Sequence, residues 1–252
     1  MPTTPIRNAL RDTAHSQTVG KHLTELLIMN KIALITGASK GIGKALTEKM
    51  LNENFFVIGT SRNGKIKNFE HKNFYPLKLD LTNTESIENA HKEIFRNFKN
   101  IDFLINNAGI GPDLDTYIPE KDSFNLTFDV NVTGTVFFTE PLIEFINENG
   151  IILNISSKMG SLNVCELTDS VAYRMSKSAL NMYTKILTNR LKDKIKVASI
   201  HPGWVKTTII ESNLKNGRLT PEQSAENIFE FLTNKFESRT FWNSENGTEL
   251  LW

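Results

Sequence analysis

Cysteine is nearly missing from this chain of 252 residues: Cys165 stands alone. No intrachain disulfide can form, and a zinc cluster built on thiolates is excluded, so a reducing compartment fits and a cytoplasmic location is expected. Long hydrophobic runs are missing too. No stretch of 18 apolar residues occurs, and no transmembrane helix or membrane partner is expected. Nor does one charge dominate. Lys and Arg number 29 against 28 Asp and Glu, for a net charge of +1. That balance excludes nucleic-acid or membrane-surface binding driven by long-range electrostatics. Any anion site must be local.

What is present reads as one α/β domain. Residues 29–252 contain no repeat, low-complexity tract or linker that would divide them, and a chain of this size buries a large core unaided. Residues 1–28 are read apart, as an extension that is disordered or loosely attached. Arg7 and Arg11 favour an organelle-targeting segment there, whereas Asp12 and Glu25 oppose it.

From Met29 onward, short apolar runs alternate with helical patterns. Ile32–Ile35, Phe55–Ile58, Tyr75–Leu81, Ile101–Ile105, Ile151–Ile155 and Ile195–Ile200 read as strands. Helical spacing covers 42–51, 84–98, 171–191 and a long stretch from about Ser123 to Ile146, with a break near Pro141. Thr220-Pro221 opens a last helix, Thr as cap and Pro in first position, running to about Lys235. Phe241-Trp242, the Asn246-Gly247 turn and Leu250–Trp252 read as a short closing strand segment. The alternation predicts a Rossmann-like, doubly wound parallel sheet with helices on both faces. Ligands on such sheets sit at the carboxyl ends of the strands, where the strand order reverses.

Thr36-Gly37-Ala38-Ser39-Lys40-Gly41-Ile42-Gly43 lies between the first strand and the first helix. Glycines there allow a tight turn and close approach to a pyrophosphate, and the helix start offers free N–H groups. The second strand ends Gly59-Thr60-Ser61-Arg62, with no acid to hold ribose hydroxyls. Arg62 and Lys40 instead suit a 2′-phosphate, which points to NADP(H) over NAD(H). Asp80 suits the adenine ring, or else a helix cap. Asn107-Ala108-Gly109 offers small residues for a ribose to rest on. Pro202-Gly203 makes a rigid turn at the ligand edge, and Thr207 suits the nicotinamide amide. The segment Thr208–Leu219, with Ile209, Ile210 and Leu214, reads as a lid.

Tyr173 and Lys177 lie four apart at a helix start, on one face. A neighbouring ammonium favours phenolate and draws the phenol toward a useful range for proton transfer. Ser157 ends the fifth strand and is placed to hold a substrate oxygen beside that phenol. Asn131, an unfavourable residue inside a helix, suits a polar task such as holding a water against Lys177. His201 precedes a Pro-Gly turn and reads as structural. No metal site is expected.

Thr36–Gly43, Asp80, Asn106–Gly109, Asn131, Ser157, Tyr173, Lys177 and Pro202–Gly203, in this order, resemble the short-chain dehydrogenase/reductase family across residues 30–252. Tyr173–Asn181 and the ending Gly247–Trp252 resemble its sniffer-like carbonyl reductase and C-factor branch. The resemblance implies hydride transfer between a nicotinamide and a small-molecule carbonyl or alcohol, with an Asn131–Ser157–Tyr173–Lys177 tetrad. It also implies cofactor contacts at Gly37, Ser39, Lys40, Gly41, Ile42 and Gly43, and at Arg62, Asp80 and Leu81. Further contacts fall on Asn107, Ala108, Gly109, Tyr173, Lys177, Pro202, Gly203, Val205 and Thr207. A homodimer or homotetramer is a family option, as is a cofactor-binding signalling protein with little turnover. Ser157 and Tyr173 stand further apart than in many members. The added residues fall in Ser161–Ser170, expected to border the substrate.

Overall fold

Ile32-Ala33-Leu34-Ile35 forms β1 (Ile32–Ile35), buried at all four positions, as a continuous apolar run between two covered faces requires. The structure, a computed structural model, describes residues 31–66, 70–192 and 194–252. The expectations for residues 1–28 lie outside them. Seven further strands are described: β2 (Phe56–Ser61), β3 (Phe74–Lys78), β4 (Ile101–Asn106), β5 (Ile146–Ile155), β6 (Lys196–His201), β7 (Phe241–Asn243) and β8 (Thr248–Glu249). They form one sheet in the order β3-β2-β1-β4-β5-β6-β7-β8. All neighbours are parallel except β7 and β8, which pair as an antiparallel hairpin. The order reverses between β1 and β4, and the carboxyl ends of these two strands therefore flank a crevice.

Strand alternation divides the core. Ile32, Leu34, Phe56, Ile58, Leu104 and Ile152 face one layer with Ile87 and Ile94 of α2 (Thr84–Asn97), and with Leu180 and Leu187 of α5 (Val171–Leu191). Ala33, Ile35, Val57, Ile105 and Leu153 face the other. There they pack on Leu46 and Met50 of α1 (Gly41–Asn52) and on Ile228, Phe231 and Leu232 of α7 (Pro221–Thr233). Each large aliphatic so buried contributes roughly 1.5–3 kcal/mol.

The α7 start forms as its sequence dictates. Thr220 Oγ1 accepts from Gln223 N at 3.2 Å, and Gln223 Oε1 accepts from Thr220 N at 2.9 Å. The expected long helix from 123 to 146 does not form as one piece. It divides into α3 (Lys121–Phe128), a π-helical turn (Asp129–Gly134), α4 (Thr135–Thr139) and a 3₁₀ segment (Glu140–Phe145). Pro141 explains the last change, since it has no N–H to continue the α pattern. β5 then begins at Ile146, five residues before the expected strand, because Ile146 pairs with Ile101 across an irregular register.

Candidate active site

The turn after β1 is built for close approach. Gly37 and Gly41 have φ of +71 and +56, the left-handed region that glycine tolerates. Gly37 N donates to Thr60 Oγ1 at 3.2 Å, which ties the turn to the end of β2. A Cβ on Gly43 would stand 2.3 Å from both Gly37 O and Asn107 Nδ2, so α1 reaches the sheet only without a side chain there. α1 starts with no side-chain cap on its N–H groups. An uncapped helix start behind a left-handed glycine turn fits a pyrophosphate. Ser39 and Lys40 are exposed on this turn, Ile42 is half-buried, and Arg62 is exposed just past β2.

Opposite, Asn107, Ala108 and Gly109 follow β4. The backbone N–H groups of Asn107 and Ala108 each donate to Thr36 Oγ1 at 3.0 Å. The Asn107 side chain donates to Thr36 O at 2.8 Å and Gly37 O at 3.3 Å, so it braces the glycine turn from behind. Asp80 is not the cap of α2; Asn83 is, accepting from Ser86 N at 2.7 Å. Asp80 Oδ1 accepts from Thr82 N and Oγ1. The Thr82 hydroxyl, then its amide and Arg62, hold the carboxyl below its ordinary value against partial burial. Leu81 is buried beside it.

On the β6 side, Gly203 has φ +90 and the Pro202 carbonyl accepts from Ser224 Oγ at 2.7 Å. Val205 is buried and bridges to Leu219. Thr207 reaches the glycine turn: its Cγ2 is 3.4 Å from where a Gly41 Cβ would be. The expected lid carries α6 (Glu211–Asn216), none of whose side chains is buried. Ser212 Oγ donates to Asp115 Oδ2 at 2.7 Å across to the loop after β4.

Tyr173, Lys177, Ser157 and Asn131 come together beside this crevice, all buried. Lys177 Nζ donates to Ile155 O at 2.8 Å, at the end of β5, and lies 5.6 Å from the centre of the Tyr173 ring. Ser157 Oγ accepts from Met159 N at 3.2 Å and lies near enough to the Tyr173 phenol to pull its pKa down. Asn131 sits in the π turn, where helical irregularity often marks function. Its amide exchanges two bonds with the Ile110 backbone, at 2.9 and 2.8 Å, and donates to Ser176 Oγ at 3.1 Å. A Cβ on Gly109 would lie 3.3 Å from Asn131 Oδ1 and 3.4 Å from Lys177 Nζ, so both groups point to one spot.

One expectation about this group is corrected. The Tyr173 phenol is not drawn down by Lys177. Burial pushes it up to about 12, against a partial pull from the Ser157 hydroxyl. Burial likewise takes Lys177 down to about 8. The physical reason is geometric: the ammonium lies against the ring and a backbone carbonyl, while desolvation penalises each charged form by itself.

A family model for short chain dehydrogenases matches residues 31–217. This chain belongs to that family. A Schizosaccharomyces pombe oxidoreductase of uncharacterized activity is 31% identical over 226 residues, covering 86% of this chain and 72% of its own. Among solved structures, the Drosophila melanogaster carbonyl reductase Sniffer superposes with a TM-score of 0.76 at 30% identity, covering 89% of this chain and 100% of that one. An NADPH-bound carbonyl reductase from chicken fatty liver gives 0.78 at 26%, covering 88% and 99%.

Two supports of this short-chain dehydrogenase lie outside the expected site residues. The first is a buried polar chain behind the site. Asn106 Nδ2 donates to Asn154 Oδ1 at 2.9 Å, Asn154 Nδ2 to Thr184 Oγ1 at 2.8 Å, and Thr184 Oγ1 bonds Ser199 Oγ at 2.7 Å. It stitches β4, β5, α5 and β6 together, with the Asn106 side-chain carbonyl oxygen buried at its end without a partner among the described residues. Asn106 opens the Asn106–Gly109 run of the sequence, and Asn154 is its neighbour across β4 and β5. The second is Asp113, a buried carboxylate in the loop after β4, for which no pattern in the sequence gave a sign. The loop Ser161–Ser170 is clasped by the chain end: Ser161 Oγ donates to Leu251 O at 2.7 Å and Asn163 N to Trp252 O at 3.3 Å. Among the described residues no helix is long and apolar enough to cross a membrane, and no group of three His, Cys, Asp or Glu is placed to hold a metal.

Proposed function

We propose that this short-chain dehydrogenase is an NADP(H)-dependent carbonyl reductase, with Asn131, Ser157, Tyr173 and Lys177 as its working group. One observation carries the reading: Ser157, Tyr173 and Lys177 are buried together at the carboxyl ends of the strands, with the Lys177 ammonium against the phenol ring. Bound nicotinamide supplies the hydride. Ser157 holds the carbonyl oxygen, and Tyr173 donates a proton to that oxygen as negative charge develops on it. A phenol that burial keeps protonated is suited to that donation. Lys177 holds the nicotinamide ribose and, with Asn131, relays a proton toward Tyr173. Gly37, Gly41 and Gly43 admit the pyrophosphate to the start of α1, and Asp80 and Leu81 border the adenine. Pro202, Gly203, Val205 and Thr207 form the wall beside the nicotinamide.

The choice of NADP(H) is supported by the positions of Lys40 and Arg62. Both are exposed at the ends of the two segments that flank the adenine ribose, and no acid stands in Gly59–Arg62. The likeness to two carbonyl reductases supports reduction of an aldehyde or ketone. Tyr173→Phe is expected to lower kcat for NADPH-driven carbonyl reduction by at least about 100-fold while NADPH affinity, read by fluorescence, changes little. Full turnover in that variant would sink the reading. No turnover by the wild-type protein on a broad carbonyl panel, with NADPH bound, would favour a binding protein.

A further inference from the structure

α5 is not capped from its own sequence neighbourhood. Ser170, just before it, is left-handed at φ +58, and its hydroxyl accepts from Asp115 N at 3.1 Å. The cap comes from the loop after β4. Asp113, 3% exposed, accepts from Ala172 N at 2.7 Å and through both oxygens from Tyr173 N at 3.2 Å. A carboxylate on the positive end of a helix is favourable, and this one is held out of water. The same loop also seats the ring. A side chain on Gly111 would come within 2.8 Å of Tyr173 Cδ2 and 2.7 Å of Leu114 Cδ1, so the ring lies directly on this loop. Three residues before Asp113, at Ile110, the loop joins the Asn131 amide. Asp113 therefore links the π turn, the end of β4 and the first turn of α5.

We propose, on the reading that Tyr173 is the proton donor, that Asp113 is its positioning residue: the carboxylate seats the first turn of α5, which carries Tyr173, and its loop lies under the ring. Two charged groups stand near the Tyr173 side chain: Lys177, one turn along α5, lies against the ring, and Asp113, at the helix start, acts on the phenol through space. Arg174, the next residue of the helix, is turned away and bonded to Asp169 at 2.7 Å. From the turn at 158–160 the facing group is the neutral Ser157 hydroxyl. Burial and Asp113 act in one direction on Tyr173, and Ser157 opposes them.

Asp113→Asn keeps an acceptor for one N–H and removes the charge; Asp113→Ala removes both. Carbon-13 NMR of protein labelled at the tyrosine ring oxygen-bearing carbon resolves the four tyrosines, and Tyr173→Phe assigns the signal of interest. In Asp113→Asn the onset of Tyr173 ionisation is expected about one pH unit lower than in wild type. The alkaline limb of kcat for reduction should move down with it, with NADPH affinity unchanged. Asp113→Ala is expected to lose about 100-fold in kcat through misplacement of the phenol, with a smaller change in KM. If the alanine variant does not fold, the asparagine variant carries the test. An unmoved ionisation onset in Asp113→Asn, or wild-type kcat in both variants, would overturn the proposal. If wild-type protein reduces no carbonyl, the carbonyl-reductase reading fails, and the NMR titration still decides whether Asp113 acts on Tyr173.

Discussion

Lys177 is buried with its Nζ on a single backbone carbonyl, Ile155 O, and no carboxylate is bonded to it among the described residues. Burial depresses its folded value to about 8 from an ordinary 10.5. Below about 8 the ammonium is protonated in both folded and unfolded chains, and its burial cost is constant. Between about 8 and 10.5 the unfolded chain binds more protons, so stability rises with pH. Relative to Lys177→Met, the wild-type protein should gain roughly 1 kcal/mol per pH unit from pH 8 to 10 in urea denaturation. A difference that stays flat over that window would show that Lys177 is not desolvated as described. At this scale the sequence was most legible where function imposes a spacing. Tyr173 and Lys177, four apart, had to share a helix face. Asp113 was illegible because its partners, Ala172 and Tyr173, are brought to it only by folding.

The elements show where local pattern and tertiary packing part company. The apolar periodicity of the segment around 123–146 is helical, yet the segment is wound in three different ways. Gly134 shows why. A Cβ there would stand 2.1 Å from Leu81 O and 2.6 Å from Leu81 Cβ, so the π turn presses its backbone onto the chain that leaves β3. Gly134→Ala is expected to cost about 2 kcal/mol in denaturant unfolding by forcing the two segments apart. Because Asn131 lies in the same turn, kcat should fall as well, while Gly247→Ala, where an added Cβ would meet nothing within 4 Å, should spare it. Unchanged stability in Gly134→Ala would refute the close packing. Thr220, by contrast, was legible outright, since a capping box is closed within four residues.

At the scale of the whole molecule, the crevice between β1 and β4 joins parts from every third of the chain: the glycine turn, the π turn, α5 and the Pro202–Thr207 turn. A ligand that binds there must stabilise the fold by mass action. NADPH at about 100 times its Kd should add about 2.7 kcal/mol. For a chain of this size that raises Tm by about 5–10 °C. NADH at equal concentration should give a smaller rise, and Arg62→Ala should bring the two together. Equal shifts from both cofactors in the wild-type protein would refute the NADP(H) preference.

The sequence by itself determined the layers and the order of the elements. Continuous apolar runs demand strands covered on both faces, and glycines, prolines and caps punctuate them by short-range sterics. It also set Tyr173 and Lys177 on one helix face, because residues at a fixed helical spacing share a face in any fold. Only the tertiary structure decided which way Tyr173 titrates, how the 121–145 segment winds, and that a carboxylate in the loop after β4 caps α5. Burial, close backbone approach and capping from a distance depend on what folding brings alongside, and no local pattern encodes them.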